Sequence, residues 1–397
     1  MSLSLSKAAL EIKPSATLKI NAAVNRLRAE GVAVLSLGAG EPDFDTPKHV
    51  CQAAIRAIQT GQTRYTEVSG ILSLRRAVCA YMEKEKGLHY APEEILVGSG
   101  AKQVLLAALK AVLDSQDEVI VPSPYWVSYP EMIRIADGVP VIVPADDDFL
   151  PQAEALAQAI TPRTKAIIVN TPCNPTGIVW HKKLLENVME LARKHDLFVI
   201  SDEIYESFLY DGTAHLSPAS LSEDARSRTI VISGVSKTYA MTGWRIGYAA
   251  GSRSVISAMS AIQSHTAGNA CSISQHAALA ALDGSQECVE KMREAFLNRR
   301  SLLIKCLSRE NLQPACIPQG AFYVLLDIRP FFGKRLGDTS IDSDVSFCEA
   351  LLNHSHVALT PGCAFGLEGF VRISYAAADE TICKAVRRIG RFIRFLK

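Results

Sequence analysis

The chain has almost no net charge: 42 lysines and arginines against 41 aspartates and glutamates leave +1. Without a field of one sign it is not built to gather nucleic acid or an acidic membrane, so any anion it binds must be held by local groups. No apolar stretch approaches the ~18–20 residues that cross a bilayer. Met1 to Ser6 lacks the basic patch and apolar run of a secretory signal. Ten cysteines are scattered so widely that no two lie closer than ten positions, the separation of Cys306 and Cys316. That excludes a Cys-x-x-Cys metal site and a small disulfide scaffold, and leaves free, mostly buried thiols in a reducing cytoplasm as the expectation. Internal repeats and low-complexity segments are missing too.

What is present is a long chain of ordinary globular balance. Its 397 residues, 48% hydrophobic and 21% charged, are too many for one core and suit two packed units. Lys19 to Glu30 has helical composition, and Val32 to Leu37 is an extended apolar run ending at Gly38. Gly40-Glu41-Pro42-Asp43 with Thr46-Pro47 reads as a turn region between units. From about residue 48 to 290, short β-branched runs alternate with helical stretches. Ile95 to Val97 precedes Gln103 to Leu113, Val119 to Val121 precedes Tyr129 to Ala136, and Ala166 to Val169 precedes Leu184 to His195. Phe198 to Ser201, Ile230 to Ser233 and Ile246 to Ala249 are further strands. This spacing predicts βαβ units and a mostly parallel, doubly covered sheet with right-handed connections. Beyond 290 come a charged helix (Glu290 to Ser308), a strand (Ala321 to Leu326) and a last helix with Ile382, Val386, Ile389, Ile393 and Leu396 on one face. The basic residues of that helix, Lys384, Arg387, Arg388, Arg391 and Arg394, read as a solvated face rather than a membrane-surface one.

In an open α/β sheet, ligands bind beyond the carboxyl ends of the strands. Those ends carry Gly98-Ser99-Gly100-Ala101-Lys102, then Asn170 through Cys173-Asn174-Pro175-Thr176-Gly177, then Asp202-Glu203-Ile204-Tyr205 and Gly234-Val235-Ser236-Lys237-Thr238. Singly, each has a plain explanation: an Asp after a strand caps a helix, Asn-Pro makes a turn, and a Lys is solvated. Together they bring an amine, a carboxylate, an amide and a phenol to one edge, and the conjunction argues for a site. The lysine segment is no nucleotide P-loop, because Ser236 stands where a glycine should precede the lysine and no glycine lies five residues before it.

Asn174-Pro-Thr-Gly, Asp202-Glu-x-Tyr205 and Ser236-Lys237-Thr-Tyr-Ala-Met-Thr-Gly-Trp-Arg245-Ile-Gly-Tyr resemble the signatures of class I aminotransferases of pyridoxal-phosphate fold type I. The resemblance runs from Lys13-Pro-Ser-Ala-Thr17 to Arg372-Ile-Ser-Tyr, and within the family it is strongest to the bacterial aspartate aminotransferases, some of which accept prephenate. It implies an α/β fold with a large cofactor domain at 45–290. A smaller α+β domain would combine 1–44 with 291–397, and the assembly would be a homodimer. It implies pyridoxal 5'-phosphate held as a Schiff base on Lys237, which then serves as general base and acid. Asp202 would keep the pyridine nitrogen protonated, Tyr205 and Asn174 would bond the ring oxygen, and Trp126 would stack on the ring. Arg245, Ser233, Ser236 and the backbone of Gly100, Ala101 and Lys102 would hold the phosphate, with Tyr65 reaching it from the partner chain.

For substrate, the resemblance assigns Arg372 and the Gly40 backbone to the α-carboxylate, beside Trp126 and Asn174. The arginine that some relatives place after the lysine region for a second carboxylate is missing, since residues 254–292 contain none; Lys13, Ser15, Thr17 and Lys102 would do that work. Cys173 departs from the Asn or small residue usual before Asn174. The expected reaction is ping-pong transfer of an amino group between aspartate or glutamate and a 2-oxo acid such as 2-oxoglutarate. Prephenate or an aromatic 2-oxo acid is the alternative. A carbon–sulfur lyase or cyclase on the same fold is a further rival. A ligand-sensing regulator is another, but it would need a DNA-binding domain for which this N-terminus is too short.

Overall fold

The computed structural model describes residues 16–397 and, ahead of them, Leu5, Ser6, Leu10 and Ile12; the side chains at 16–19 and 21 lie outside that description. After a helix at Ala16–Ala29 and a short strand β1 (Leu35–Ser36), the apolar runs form one seven-stranded sheet. Its strands are β2 (Ile95–Gly98), β3 (Glu118–Pro122), β4 (Val139–Val143), β5 (Thr164–Asn170), β6 (Phe198–Asp202), β7 (Thr229–Gly234) and β8 (Gly247–Ala250), in spatial order β2-β8-β7-β6-β5-β3-β4. Pairing is parallel from β4 through β7, while β8 runs antiparallel to both of its neighbours. The sheet is thus mostly parallel, as expected, with one reversed strand. The sequence pattern also missed β4. Its Pro140 removes a ladder donor, which is tolerable because β4 lies at the sheet edge.

Both faces are covered, because alternate residues of each strand point to opposite sides. Ile230 and Ile232 join the core formed with the helices Ala101–Val112, Tyr129–Ile135 and Arg253–Thr266. Val231 joins the opposite core, made with the helices Lys48–Gln59, Leu72–Lys86 and Ser272–Asp283. Asn170 and Asp202 are direct partners in the β5–β6 ladder, so these two strands end flush.

A second sheet follows. Strand β9 (Tyr323–Asp327) precedes a small hairpin, β10 (Arg335–Leu336) and β11 (Thr339–Ser340), and then β12 (Val357–Ala358), β13 (Thr360–Pro361) and β14 (Phe370–Ser374). β14 is the middle strand of an antiparallel β13-β14-β9 sheet, and β12 pairs in parallel with β1, tying the N-terminal segment to this part of the molecule. The helices Glu287–Arg309, Asp344–Ser355 and Asp379–Phe395 pack here around Phe296, Phe347, Val386 and Ile389. The first of these is continuous through residue 290, where the sequence suggested a boundary. The last buries Ile382, Val386 and Ile389 and leaves Lys384, Arg387, Arg391 and Arg394 exposed. All ten cysteines are free, but against the expectation of mostly buried thiols only three are buried; six are half-buried and Cys271 is exposed. Among the described residues no helix is long and apolar enough to cross a membrane.

Candidate active site

Where β5, β6 and β7 end, a cavity of about 340 Å³ opens against the second sheet. Asp202, last residue of β6, lies on its floor. One carboxylate oxygen accepts from the Tyr129 hydroxyl at 2.7 Å and the other from the Ile204 amide at 3.3 Å. Burial pushes this carboxyl up to about 6, against the pull of the Tyr129 bond. No cation lies within ion-pair distance of it among the described residues, so a cationic ligand atom here would relieve the cost.

Lys237 follows β7 by three residues and donates to the Gly40 carbonyl at 2.6 Å. Burial lowers its amine to about 8; Glu41 opposes that shift, and the positive charges of Arg245 and Arg372 add to it. An amine so placed is partly free near neutrality, as a nucleophile or base requires.

Arg372 sits on the central strand β14, only 2% exposed. Its Nη1 donates to Asn174 Oδ1 and its Nη2 to the Gly38 carbonyl, each at 2.8 Å, while Nε has no partner among the described residues. No carboxylate pairs with it there either, an unusual state for a buried guanidinium. Because a guanidinium only donates, the Asn174 oxygen faces Arg372, leaving its amide N–H groups for the cavity. Asn170 holds this loop, accepting from the Asn174 amide and donating to the Asp202 carbonyl, both at 3.0 Å.

The opposite end is built from backbone and positive charge. Gly100 (φ +89°) precedes the helix Ala101–Val112, and a Cβ there would lie 2.5 Å from Arg245 Nη2. Gly247 in β8 likewise leaves no room for a side chain above the Gly100–Ala101 backbone. Arg245, left-handed at φ +59°, is anchored by the carbonyls of Thr242 (3.1 Å) and Ser99 (3.5 Å) and has no carboxylate partner among the described residues. Unpaired amides at a helix start beside a free guanidinium make an anion cradle. Lys102 lies in the same wall with its ammonium 4.9 Å from the centre of the Trp126 ring, and burial and then Arg245 lower its affinity for a proton.

Of the residues expected from sequence, Gly40, Ala101, Lys102, Trp126, Asn174, Asp202, Tyr205, Ser236, Lys237, Arg245 and Arg372 line this cavity, with Gly100 directly behind Arg245. Ser233 does not: its hydroxyl donates to Glu206 at 2.9 Å on the other face of the sheet, so its assignment to the phosphate is corrected. The period of β7 explains this, since Ser233 shares a side with Val231. Tyr65 is 97% exposed and does not line the cavity. Lys13 and Ser15 lie outside the described residues, and Thr17 is described only in its backbone. Sequence reasoning missed Gly38, Tyr129, Asn170 and Tyr323; only Asn170, the last residue of a predicted strand end, had a signal. Glu203, Glu206 and His215 approach one another closely enough to suggest a cation site. Lys86 fills that role: its ammonium lies 2.6 Å from Glu203 and also pairs with Glu206.

A family model described as aminotransferase class I and II matches residues 32–389. The chain is 46% identical to the aspartate/prephenate aminotransferase of Cereibacter sphaeroides, covering 98% of each chain. It is 44% identical to the aspartate aminotransferase of a Bacillus species, over 96% of this chain and 97% of that one. Its structure superposes on the aspartate aminotransferase of Thermus thermophilus with maleate at a TM-score of 0.92, with 45% identity over 98% of this chain and all of that one. It also superposes on the aspartate aminotransferase of Rhizobium meliloti at 0.95, with 41% identity over the whole of both. With the match spanning both sheets and the cavity between them, the chain belongs to the class I and II aminotransferases.

Proposed function

We propose that this enzyme uses pyridoxal 5'-phosphate to move an amino group between aspartate or glutamate and a 2-oxo acid such as 2-oxoglutarate. One observation carries the reading: a buried Arg372, with neither a carboxylate nor an Nε partner among the described residues, faces the same cavity as an amine lowered to about 8. The residues fit the cofactor chemically. The Ala101 and Lys102 amides with Arg245 suit a phosphate; the Gly100 amide instead donates to the Gly98 carbonyl at 2.8 Å, so Gly100 serves only by leaving room for Arg245. Asp202, without an ion-pair partner among the described residues, suits a protonated ring nitrogen. The side-chain N–H groups of Asn174 and the Tyr205 hydroxyl suit a ring oxygen.

When bound, pyridoxal phosphate supplies a carbonyl that exchanges amines and a ring that accepts the electron pair left at the substrate Cα. The chain's own residues do the rest. Arg372 orients the α-carboxylate and fixes which Cα bond faces the ring. Lys237 takes the Cα proton and returns it one position away. Trp126 and Tyr129 wall the cavity, and Asp202 keeps its charge where the ring nitrogen would sit.

The second carboxylate of aspartate would meet Lys102, with Lys13, Ser15 and Thr17 as further partners. An ammonium imposes less geometry than a second guanidinium fork, so a bulkier dicarboxylate such as prephenate is the second substrate reading, supported by the relative named for it. We further propose a two-domain homodimer divided near residues 45 and 290, with the exposed Tyr65 entering the partner's site. Ten free thiols support a reducing compartment, the cytoplasm.

The test mixes the cofactor-loaded protein with one amino acid at a time and follows cofactor absorbance. Aspartate and glutamate should convert it within one turnover and small neutral amino acids poorly; no response to any amino donor would overturn the reading.

A further inference from the structure

Tyr323, first residue of β9, is fully buried and lines the cavity. That hydroxyl lies 2.8 Å from the hydroxyl of Tyr205, and the two rings meet edge to face at 5.7 Å. In the β9–β14 ladder Tyr323 pairs with Ser374 and Leu325 with Arg372, so Tyr323 and Arg372 are diagonal neighbours on one face. The guanidinium carbon stands 4.3 Å from the centre of the Tyr323 ring. Gly40, whose carbonyl holds Lys237, lies beside the same hydroxyl, where an added Cβ would come within 3.3 Å of it. One phenol thus touches the carboxylate clamp, the loop under the lysine, and Tyr205.

Of two hydroxyls at 2.8 Å, one donates and the other accepts. A cation over an aromatic face draws electron density from the ring and makes its O–H the stronger donor. Burial raises both phenols, and Arg372 opposes that rise at each, ranking as the leading opposing charge at Tyr323.

We propose that Tyr323 is a positioning residue: its hydroxyl donates to the Tyr205 oxygen, so that the Tyr205 proton points into the cavity toward a bound ring oxygen. Arg372 sets the strength of that donation. A substrate carboxylate arriving on Arg372 offsets the charge over the Tyr323 ring, so occupancy of the clamp is felt at Tyr205 through one shared phenol. This inference rests on the proposed cofactor. The charged and titratable groups around Tyr205 are Asp202 from its own turn, Tyr323 from β9 and Arg372 from β14; Lys237 lines the same cavity, and Glu41 acts on Tyr323.

The experiment titrates the visible absorbance of the cofactor-loaded protein against pH, with and without maleate, a dicarboxylate that has no amine to react. In Tyr323→Phe, Tyr205 becomes a weaker donor and holds negative charge on the ring oxygen less well. The chromophore should therefore keep its proton to higher pH, moving the midpoint up by about half a unit. The maleate-induced shift should shrink, and kcat should fall roughly 3–10-fold, the effect of one hydrogen bond, with the KM for aspartate nearly unchanged. Isosteric 3-fluorotyrosine at position 323, a more acidic phenol, should move the midpoint the other way, and it decides the matter should the Phe variant fold poorly. An unshifted midpoint with fluorotyrosine, or a full maleate response in Tyr323→Phe, would reduce Tyr323 to packing. Absence of any visible band in the unmodified protein would instead sink the cofactor reading.

Discussion

Two arginines face the cavity without a carboxylate partner among the described residues, and they do so in opposite surroundings. Arg245 is exposed, on a left-handed turn, held by two carbonyls at 3.1 and 3.5 Å. Arg372 is buried on a central strand, with both Nη groups bonded at 2.8 Å and Nε left over. A hydrated guanidinium beside backbone amides can accept a dianion and adjust to it. A desolvated one is already aimed and tolerates little change in the length or angle of what it receives. The same residue type therefore suits two tasks: retaining a group that stays, and orienting one that comes and goes.

The most severe break in that comparison is to remove what lies between the two. Lys237→Ala should abolish turnover and the visible absorbance that its amine supports, while maleate still binds at Arg372, as calorimetry would show. Turnover at the normal rate would end the assignment.

Asp202→Asn should next slow proton removal by roughly 10²–10⁴-fold in single-turnover measurements, since a neutral amide cannot hold a ring nitrogen cationic. A pH experiment on cofactor-free protein sharpens this. The Asp202 carboxyl is raised to about 6, so it is charged only above that pH; the Lys237 amine is lowered to about 8, so it is increasingly free as pH approaches 8. Capture of pyridoxal phosphate should therefore accelerate from pH 6 to 8 in the unmodified protein. Asp202→Asn should lose the lower limb only.

Arg372→Lys tests the buried arginine. A point charge cannot replace its fork, and kcat/KM for aspartate should fall by about 10²–10³-fold with cofactor affinity unchanged. Gly100→Ala tests the exposed one, because the new methyl group collides with the Arg245 guanidinium. Cofactor Kd should rise roughly 10–100-fold at a site strained by positive φ, with KM at saturating cofactor little altered. If both variants shift both constants equally, the division of labour is wrong. A loss of similar size, confined to one class of substrate, is expected at Lys102→Ala: about 10–100-fold in kcat/KM for aspartate, and almost none for alanine, which has no second carboxylate to lose.

Much of the edge carrying Lys237, Asp202 and Asn174 was legible, because apolar runs a helix apart imply parallel strands and parallel strands put their ends together. The clamp was not. Gly38 lies 334 residues before Arg372, and Tyr323 meets Arg372 only because β9 and β14 pair, so Arg372 could be named from resemblance and never from spacing. The direction of Ser233 is readable from the alternation of its own strand, which puts it on the side of Val231 and away from the cavity. Strand direction was invisible as well, since a run of four apolar residues in β8 reads the same whether it runs with its neighbours or against them.

That reversed strand has a consequence for how the molecule can be re-engineered. An antiparallel strand starts where its parallel neighbours finish, so the chain leaves β7 past Lys237 and re-enters the sheet just after Arg245, at the same rim. Lys237 and Arg245, the proposed nucleophile and anion anchor, are thus delivered by one uninterrupted twelve-residue excursion, 235–246, pinned by Gly234 and Gly247 side by side at its two feet. The segment is not self-sufficient, since Gly40 holds the amine and Ser99 the guanidinium from outside it; a single residue inserted within it should pull the amine and the anchor apart, costing turnover and cofactor affinity together.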